Sequence, residues 1–397
     1  MKSIATITVQ IYCIIFAICV QCEGQSNQDL TDPLQPPVIL TELPEPYNDE
    51  NRLFQGIPSL QPTSNERLWL TWFSGGRGET CENIVLLATS GDRGETWSKP
   101  IMAIDPPGVV RAFDSSLWQD PRGRLWLFWS QGEETQNNPT IWDGRAGVWC
   151  MTCDHPELGE KAVWSEPRRL CDGIMNNQPI ADSQGRYLLP VSVWRFDSKY
   201  FIPHTDRGAL VYASEDEGKT FSRLGRAEVP KEDSVFDEHN LIEKRDGSFW
   251  MTIRTRYGLG ESFSTDGGRT WTVAAPSTVL KHTCSRFMIR RLQSGRLLLV
   301  KNGNYNEDVG RTKMMAFLSE DEGQTWLGGL LLDDRPEVSY PNGNQAEDGT
   351  IYVTWDYARY GGKEIMVARF TEEDILAGKA VSQNSKLKIV ANKATGK

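Results

Sequence analysis

Short apolar runs recur along the chain, and each one follows a polar or glycine-containing turn. Within a run, large apolar residues alternate with other residues, which is the two-residue period of a β-strand. Six such runs share this layout, at residues 66–72, 123–129, 185–191, 247–253, 295–301 and 349–355. A layout repeated six times predicts six copies of one β-structural unit.

The spacing of these units is typical of propeller blades. Equivalent positions in the six runs are Leu68, Leu125, Tyr187, Phe249, Leu297 and Ile351. The intervals between them are 57, 62, 62, 48 and 54 residues. Repeats of this length built from short strands indicate sheets arranged around a central axis. The pattern therefore predicts an all-β fold, a six-bladed β-propeller.

A polar residue stands eleven positions before each of the last five equivalent positions. These residues are Asp114, Asn176, Glu238, Arg286 and Tyr340. Because a repeat brings equivalent positions to equivalent points in space, the five side chains are expected to surround the propeller axis. We therefore predict a functional site at that point.

A second repeat supports the number of blades. The pattern Ser-x-Asp-x-Gly-x-Thr-aromatic occurs four times, at residues 90–97, 214–221, 264–271 and 319–326. In such a turn the aspartate can accept backbone N–H groups, and the glycine can adopt a left-handed conformation. We interpret the four copies as structural turns between strands, with no catalytic part.

This motif is the Asp box, and through it the chain resembles the sialidase superfamily over residues 50–370. The resemblance implies a six-bladed propeller with Asp-box turns, in agreement with the independent count of blades. It also implies a site in which three arginines bind a sugar carboxylate. A tyrosine nucleophile with a glutamate partner and an acidic acid/base residue complete that site.

Four of these family residues have counterparts in the chain. Tyr340 precedes the Asp-Gly turn of the last unit, as the family nucleophile does. Glu238 and Arg254, sixteen residues apart around another Asp-Gly turn, resemble the glutamate partner and the second arginine. Arg311, eight residues before the fourth Asp box, is similar to the third arginine.

Two positions depart from the family pattern. The first arginine of the family begins an Arg-Ile-Pro tripeptide, and Gly56 stands in its place here. Arg286 and Arg111 are candidates to replace it, by position alone. The acid/base aspartate is expected between the tripeptide and the first Asp box, where the available carboxylates are Glu79 and Glu82.

The resemblance implies a chemistry suited to a sugar that carries its own carboxylate. A tyrosine has a pKa near 10, and a neighbouring carboxylate can take its proton as it attacks. We expect Tyr340 to be the nucleophile and Glu238 its base. Glu79 or Glu82 would protonate the leaving oxygen and later activate water. Asp114 and Asn176 join the arginines as predicted substrate-binding residues.

Three functions remain open at this point. The first is a secreted exo-glycosidase that hydrolyses a terminal sialic-acid-like or other acidic sugar from a glycan. The second is a carbohydrate-binding propeller without catalysis. The third is a polysaccharide lyase that uses the tyrosine as base on a uronate. No nucleotide-binding loop or convincing metal cluster is recognisable, so we expect neither a cofactor nor a metal.

Composition and the chain ends complete the predictions. The net charge of −10 over 397 residues disfavours nucleic acid as a partner. Residues 1–25 resemble a signal peptide, which indicates a secreted or periplasmic protein without a membrane span after cleavage. We expect an extended segment at 26–50 and the propeller at 51–392. Residues 370–378 are predicted to form a short capped helix, and residues 386–390 a strand that pairs with the first blade.

Cysteines allow one further prediction. Cys150 and Cys153 lie on a predicted strand, where side chains at this separation point to nearly opposite faces, so metal binding is disfavoured. A disulfide between Cys153 and Cys171 is one possible pairing.

Overall fold

The computed structural model describes residues 33–133, 146–194 and 207–397. The predicted signal segment lies outside these residues. Within them, strands form six separate antiparallel sheets, one of five strands and five of four. The sheets form a ring and are called blades 1 to 6 in chain order. This confirms the predicted all-β, six-bladed propeller.

The strands of the first three blades are as follows. Blade 1 contains β1 (Val38–Leu40), β2 (Phe54–Pro62), β3 (Leu68–Gly75), β4 (Ile84–Ser90) and β5 (Met102–Asp105). Blade 2 contains β6 (Val110–Gln119), β7 (Leu125–Glu133), β8 (Gly147–Cys153) and β9 (Arg168–Asp172). Blade 3 contains β10 (Ile180–Ala181), β11 (Tyr187–Val193), β12 (Gly208–Ser214) and β13 (Ser222–Ala227).

The strands of the last three blades follow the same order. Blade 4 contains β14 (His239–Glu243), β15 (Phe249–Thr255), β16 (Gly258–Ser264) and β17 (Ala275–Pro276). Blade 5 contains β18 (Met288–Arg291), β19 (Leu297–Asn302), β20 (Thr312–Ser319) and β21 (Leu327–Pro336). Blade 6 contains β22 (Val338–Gln345), β23 (Ile351–Tyr357), β24 (Glu364–Phe370) and β25 (Lys386–Lys393).

The six positions chosen as equivalent from the sequence are the first residues of β3, β7, β11, β15, β19 and β23. Each is thus the start of the second strand of its blade, counted outward from the propeller axis. The positions eleven residues earlier lie in the innermost strand or just before it. Asp114 and Tyr340 lie within β6 and β22, and Glu238 directly precedes β14. The predicted repeat therefore has a direct structural counterpart.

Apolar clusters join neighbouring blades. Phe73 and Val85 of blade 1, for example, belong to one buried cluster with Leu127 and Trp129 of blade 2. Strands in these clusters are buried on both faces, which explains their nearly continuous runs of large apolar residues. This packing fixes the innermost strands relative to one another.

The four Asp boxes have the predicted turn geometry. In the copy at residues 214–221, Ser214 Oγ donates to Asp216 Oδ1 (2.7 Å), and Asp216 accepts from the N–H and hydroxyl of Thr220 (2.9 and 2.7 Å). Gly218 has a φ of 80°. These hydrogen bonds hold the pKa of the Asp216 carboxyl below its usual value. The turns join the third and fourth strands of their blades, counted outward from the axis, and so lie away from the inner strands.

The predicted C-terminal helix is present as α1 (Glu372–Ala377). Thr371 caps it in a reciprocal capping box with Asp374, and Gly378 ends it in a left-handed conformation. No helix in the described ranges is both long enough and apolar enough to cross a membrane.

Two predictions about the chain ends are wrong. The strand predicted at residues 386–390 exists as β25, but it pairs with β24 in blade 6 rather than with blade 1. Its side chains Ile389 and Ala391 pack against a cluster that includes residues of blade 1. The segment predicted as an extended lead-in contains β1, which pairs with β5, so blade 1 begins before residue 51.

The proposed disulfide is also wrong, because Cys153 and Cys171 are free thiols. Side chains alternate along β8, so Cys153 faces the cluster between blades 1 and 2. Cys150 faces the other way and shares a cluster with Cys171. The prediction that Cys150 and Cys153 point to opposite faces is correct.

Candidate active site

Tyr340, Glu238 and Arg254 meet at the centre of the propeller. Arg254 Nη1 lies 3.1 and 3.0 Å from the two carboxylate oxygens of Glu238 and 2.9 Å from the hydroxyl of Tyr340. All three residues are buried, with about 5% of each exposed. The phenol and the carboxylate are therefore held beside one another by a single guanidinium nitrogen.

The spacing of sixteen residues between Glu238 and Arg254 follows from a hairpin. His239 pairs with Ile253 across β14 and β15, so the next pair outward on this ladder is Glu238 with Arg254. The N–H of Arg254 donates to the carbonyl of Glu238 at 2.7 Å. The Asp-Gly turn at the other end of the hairpin sets this register.

Tyr340 lies at a β-bulge, where its backbone is left-handed. Its φ is 56°, and the register between β22 and β23 shifts between Ser339 and Asn342. Ile57 and Asp114, the corresponding positions of blades 1 and 2, also have positive φ (54° and 47°) and lie at bulges. Bulges and left-handed non-glycine residues cluster at functional sites, where they redirect side chains.

Four guanidinium groups of the described residues surround the ring of Tyr340. Measured from guanidinium carbon to ring centroid, Arg359 lies at 5.0 Å, Arg311 at 5.1 Å, Arg286 at 5.2 Å and Arg254 at 5.9 Å. Burial raises the pKa of Tyr340, and the positive charge of Arg254 opposes that rise. The phenol is thus neutral at neutral pH, in a field that stabilises negative charge.

Arg286 holds the main chain of the inner strands. Its Nη1 donates to the carbonyl and side-chain oxygens of Asn176 (2.7 and 2.6 Å), and its Nη2 donates to the carbonyls of Pro58 and Tyr340 (3.0 and 2.8 Å). It is 1% exposed. Arg286 and Asn176 both lie on the predicted ring, but these contacts engage them in holding the strands together.

Arg111 lies on the blade 2 side of the site. It donates to Asn83 Oδ1 at 3.3 Å and stacks on the ring of Phe113 at 4.1 Å. Its charge acts on Asp114, whose carboxyl is buried with only 4% of the residue exposed. Burial, and then the negative charge of Glu238, raise the pKa of Asp114 to about 7. This carboxyl can therefore carry a proton near neutral pH.

The two candidate acid/base residues differ in position. Glu79 Oε1 accepts a hydrogen bond from Arg359 Nη1 at 2.9 Å, and the Glu79 side chain is 40% exposed. The carboxylate of Glu82 lies instead over Gly76, where an added β-carbon would be 1.8 Å from Glu82 Oε2. Of the two, Glu79 is linked to the residues around Tyr340.

Arg359 was missed by the sequence analysis. It follows the end of β23, the second strand of blade 6, as Arg254 lies near the end of the second strand of blade 4. The ends of second strands and the starts of first strands share one rim of the propeller. A search for arginines at the ends of all second strands would have found it.

A concave pocket of about 410 Å³ lies beside Tyr340 and is lined in part by Arg311, Ser339, Arg359 and Tyr360. Tyr360 is 58% exposed. In the described ranges, no group of three or more acidic, histidine or cysteine side chains has the arrangement of a metal site. The pocket thus combines two cations and an exposed aromatic face with one carboxylate, that of Glu337, and the cations and the aromatic face suit an anionic sugar.

Solved structures similar to this chain include sialidases. A Dyadobacter fermentans protein of unknown function superposes with a TM-score of 0.63 at 18% identity, covering 81% of this chain and 94% of that one. The Hadza microbial sialidase gives 0.59 at 19% identity, covering 76% and 63%. The leech intramolecular trans-sialidase gives 0.60 at 15% identity, covering 83% and 69%. At these identities the likeness establishes the fold.

Sequence comparisons add a family assignment. A search of curated proteins found no match. The model of the BNR repeat-like domain, in contrast, matches residues 66–353. This range holds all four Asp boxes and, of the six apolar runs, the first five in full. It includes Glu238, Arg254 and Tyr340. The chain therefore belongs to the BNR repeat-like domain family, and its six-bladed propeller has a fold similar to that of the solved sialidases.

Proposed function

We propose that the protein is a secreted exo-glycosidase that hydrolyses a terminal sialic-acid-like sugar from a glycan. The observation that carries this proposal is the shared contact of Arg254 with the hydroxyl of Tyr340 and the carboxylate of Glu238. A tyrosine is an effective nucleophile only with a base beside it. The surrounding arginines favour a substrate whose reacting carbon lies next to a carboxylate.

In the first step, the phenol oxygen of Tyr340 attacks the anomeric carbon, and its proton passes to Glu238. The glycosidic bond breaks as Glu79 protonates the leaving oxygen. Arg254 favours this step because its positive charge stabilises the negative charge that develops on the phenol oxygen.

In the second step, water attacks the anomeric carbon of the tyrosyl intermediate and gives a proton to Glu79. The bond to Tyr340 breaks, and the phenol regains its proton from Glu238. Two displacements at one carbon predict retention of anomeric configuration.

The test is hydrolysis of sialosides by the purified mature chain and by Tyr340→Phe and Glu238→Gln. Loss of a general base lowers kcat by about 10²–10⁴-fold, and we expect Tyr340→Phe to lose at least as much. Tyr352→Phe is a matched control, since Tyr352 is also buried in blade 6 and packs in an apolar cluster between blades 6 and 1. Proton NMR of the first product would report the anomeric configuration.

The result also separates the alternative functions. An unsaturated product that absorbs in the ultraviolet would identify a lyase. Sugar binding without turnover, unchanged in Tyr340→Phe, would identify a binding module. Full activity of both site variants would refute the assigned roles of Tyr340 and Glu238.

A further inference from the structure

Gly56 leaves a space at the centre of the propeller that the side chain of Arg359 fills. A β-carbon added to Gly56 would lie 2.3 Å from Cδ and 2.7 Å from Cγ of Arg359. The N–H of Gln55 also points to the carbonyl of Arg359, at 3.5 Å. The backbone of Gly56 is outside the left-handed region, so the glycine is required by close approach rather than by its conformation.

This space lies at the position where sialidases have their first arginine and this chain has none. Gly56 takes the place of the arginine that begins the Arg-Ile-Pro tripeptide of sialidases. Arg359 enters the same region from blade 6, at the opposite end of the chain. Its guanidinium carbon lies 5.0 Å from the ring centroid of Tyr340, matching Arg311 at 5.1 Å. Both arginines line the pocket.

The position of Arg359 is fixed from behind by Asp356. Arg359 Nε lies 3.9 Å from Asp356 Oδ2. That carboxylate is fully buried and accepts from Ser339 Oγ (2.6 Å) and from the N–H of Ile57 (2.9 Å). Asp356 therefore links the guanidinium to the bulges of blades 1 and 6, while Nη1 donates to Glu79.

We propose that Arg359 replaces the absent first arginine and exchanges Glu79 for the carboxylate of the substrate. This inference rests on the proposed function. In the structure, Glu79 pairs with Arg359 through one oxygen, and its side chain is 40% exposed against 10% for Arg359. A partly exposed partner held by a single contact is readily displaced, because ion pairs that water can reach contribute little free energy.

The exchange would couple substrate binding to the availability of the acid. A sugar carboxylate can bind a guanidinium through two oxygens, which is stronger than the single contact of Glu79. Glu79 is then released from its cation and can hold the proton that the leaving oxygen needs. A substrate without a carboxylate would leave Glu79 in its ion pair.

The experiment measures binding of N-acetylneuraminic acid and of its neutral methyl ester by calorimetry. For wild type we expect the acid to bind about tenfold or more tightly than the ester, the size of one charge-assisted hydrogen bond. Arg359→Ala should abolish most of this preference, and Arg359→Lys should keep part of it. Thermal unfolding of each variant verifies that it is folded.

Arg369→Ala is a matched control. Arg369 is also in blade 6, is 11% exposed, and pairs with Glu95, which is 41% exposed. It is joined to the first Asp box, so its loss should leave the preference for the acid unchanged. The double variant Gly56→Arg/Arg359→Ala places an arginine at the family position after the two nearest atoms are removed, which leaves Asp356 Oδ2 at 3.0 Å from the new β-carbon. It should recover part of the preference.

Glu79→Gln tests whether the substrate carboxylate has to displace Glu79 from Arg359 or binds without displacing it. Removing the competing carboxylate should tighten binding of the acid severalfold and leave the ester unchanged, while kcat on a sialoside falls. If Arg359→Ala keeps the full preference for the acid, or if Glu79→Gln weakens binding of the acid, this inference is overturned and the proposed function is untouched. If wild type neither prefers the acid nor cleaves sialosides, both fail.

Discussion

The buried pair of Glu238 and Arg254 allows a quantitative test of the site. Their side chains are 4% and 5% exposed. Removing one member leaves the other charge buried without compensation, which costs about 3–5 kcal/mol. Glu238→Gln keeps the shape of the side chain and removes its charge, so we expect a loss of about 3 kcal/mol in the free energy of unfolding. Arg254→Met should lose a similar amount.

The double variant Glu238→Gln/Arg254→Met removes both charges. Because no uncompensated charge remains, its loss should be smaller than the sum of the single losses by roughly 2 kcal/mol, within the usual range for residues in contact. Urea unfolding followed by tryptophan fluorescence measures the midpoints. Glu320→Gln, which breaks the exposed pair with Arg296, is the control and should cost less than about 1 kcal/mol.

Additive losses, or a Glu238→Gln midpoint equal to that of wild type, would refute this reasoning. Either result would mean that water reaches the pair and screens it. The proton transfer from Tyr340 would then take place in a wet site, and the field of the arginines would contribute little to it.

Two other predictions concern titration and packing. Asp114 has a pKa of about 7 against 3.8 for its unfolded value, so wild type should lose stability as pH rises from 4 to 7, by up to about 4 kcal/mol from this group. Asp114→Asn should remove that pH dependence, which thermal unfolding midpoints at pH 5 and pH 8 would measure. If the variant keeps the pH dependence of wild type, the raised pKa of Asp114 is contradicted. Gly323 and Gly349 share a φ of 88°, but a β-carbon at Gly323 would lie 2.7 Å from the ring of Trp250, whereas one at Gly349 meets nothing within 4 Å. Gly349→Ala should cost about 1–2 kcal/mol of unfolding free energy for the backbone, and Gly323→Ala about 1–3 kcal/mol more for overpacking, in urea denaturation; equal losses would contradict the predicted clash.

Repetition made the fold and part of the site predictable from sequence. The start of the second strand in each blade has a polar turn and a large apolar residue, so it could be recognised six times. Glu238 and Arg254 were found because a tight hairpin pairs residues at equal distances from its turn, so their spacing in the sequence indicates that they pair. Tyr340 was found because it stands eleven residues before Ile351, the same offset that separates Asp114 from Leu125.

Other features depend on contacts that a linear pattern does not contain. The alternation in β25 predicted a strand, but it could not indicate which of two neighbouring sheets would accept its hydrogen bonds. Ile389 packs on blade 1 while the backbone pairs with blade 6. The side chain of Arg359 can occupy its position only because Gly56, about three hundred residues earlier in the chain, has no β-carbon. No local sequence pattern indicates that these two residues are in contact.

Arg286 shows why a residue predicted to lie around the propeller axis need not contact the substrate. A bulge leaves main-chain groups without partners in the strand ladder, and buried carbonyls need donors. The carbonyls of Pro58 and Tyr340, at the bulges of blades 1 and 6, both accept from Arg286 Nη2. The guanidinium therefore stabilises the same distortion that places the phenol of Tyr340 beside Arg254. Under the proposed function, Arg286 would contribute to catalysis through the position of Tyr340, and binding of an anionic sugar would fall to Arg311 and Arg359, which line the pocket.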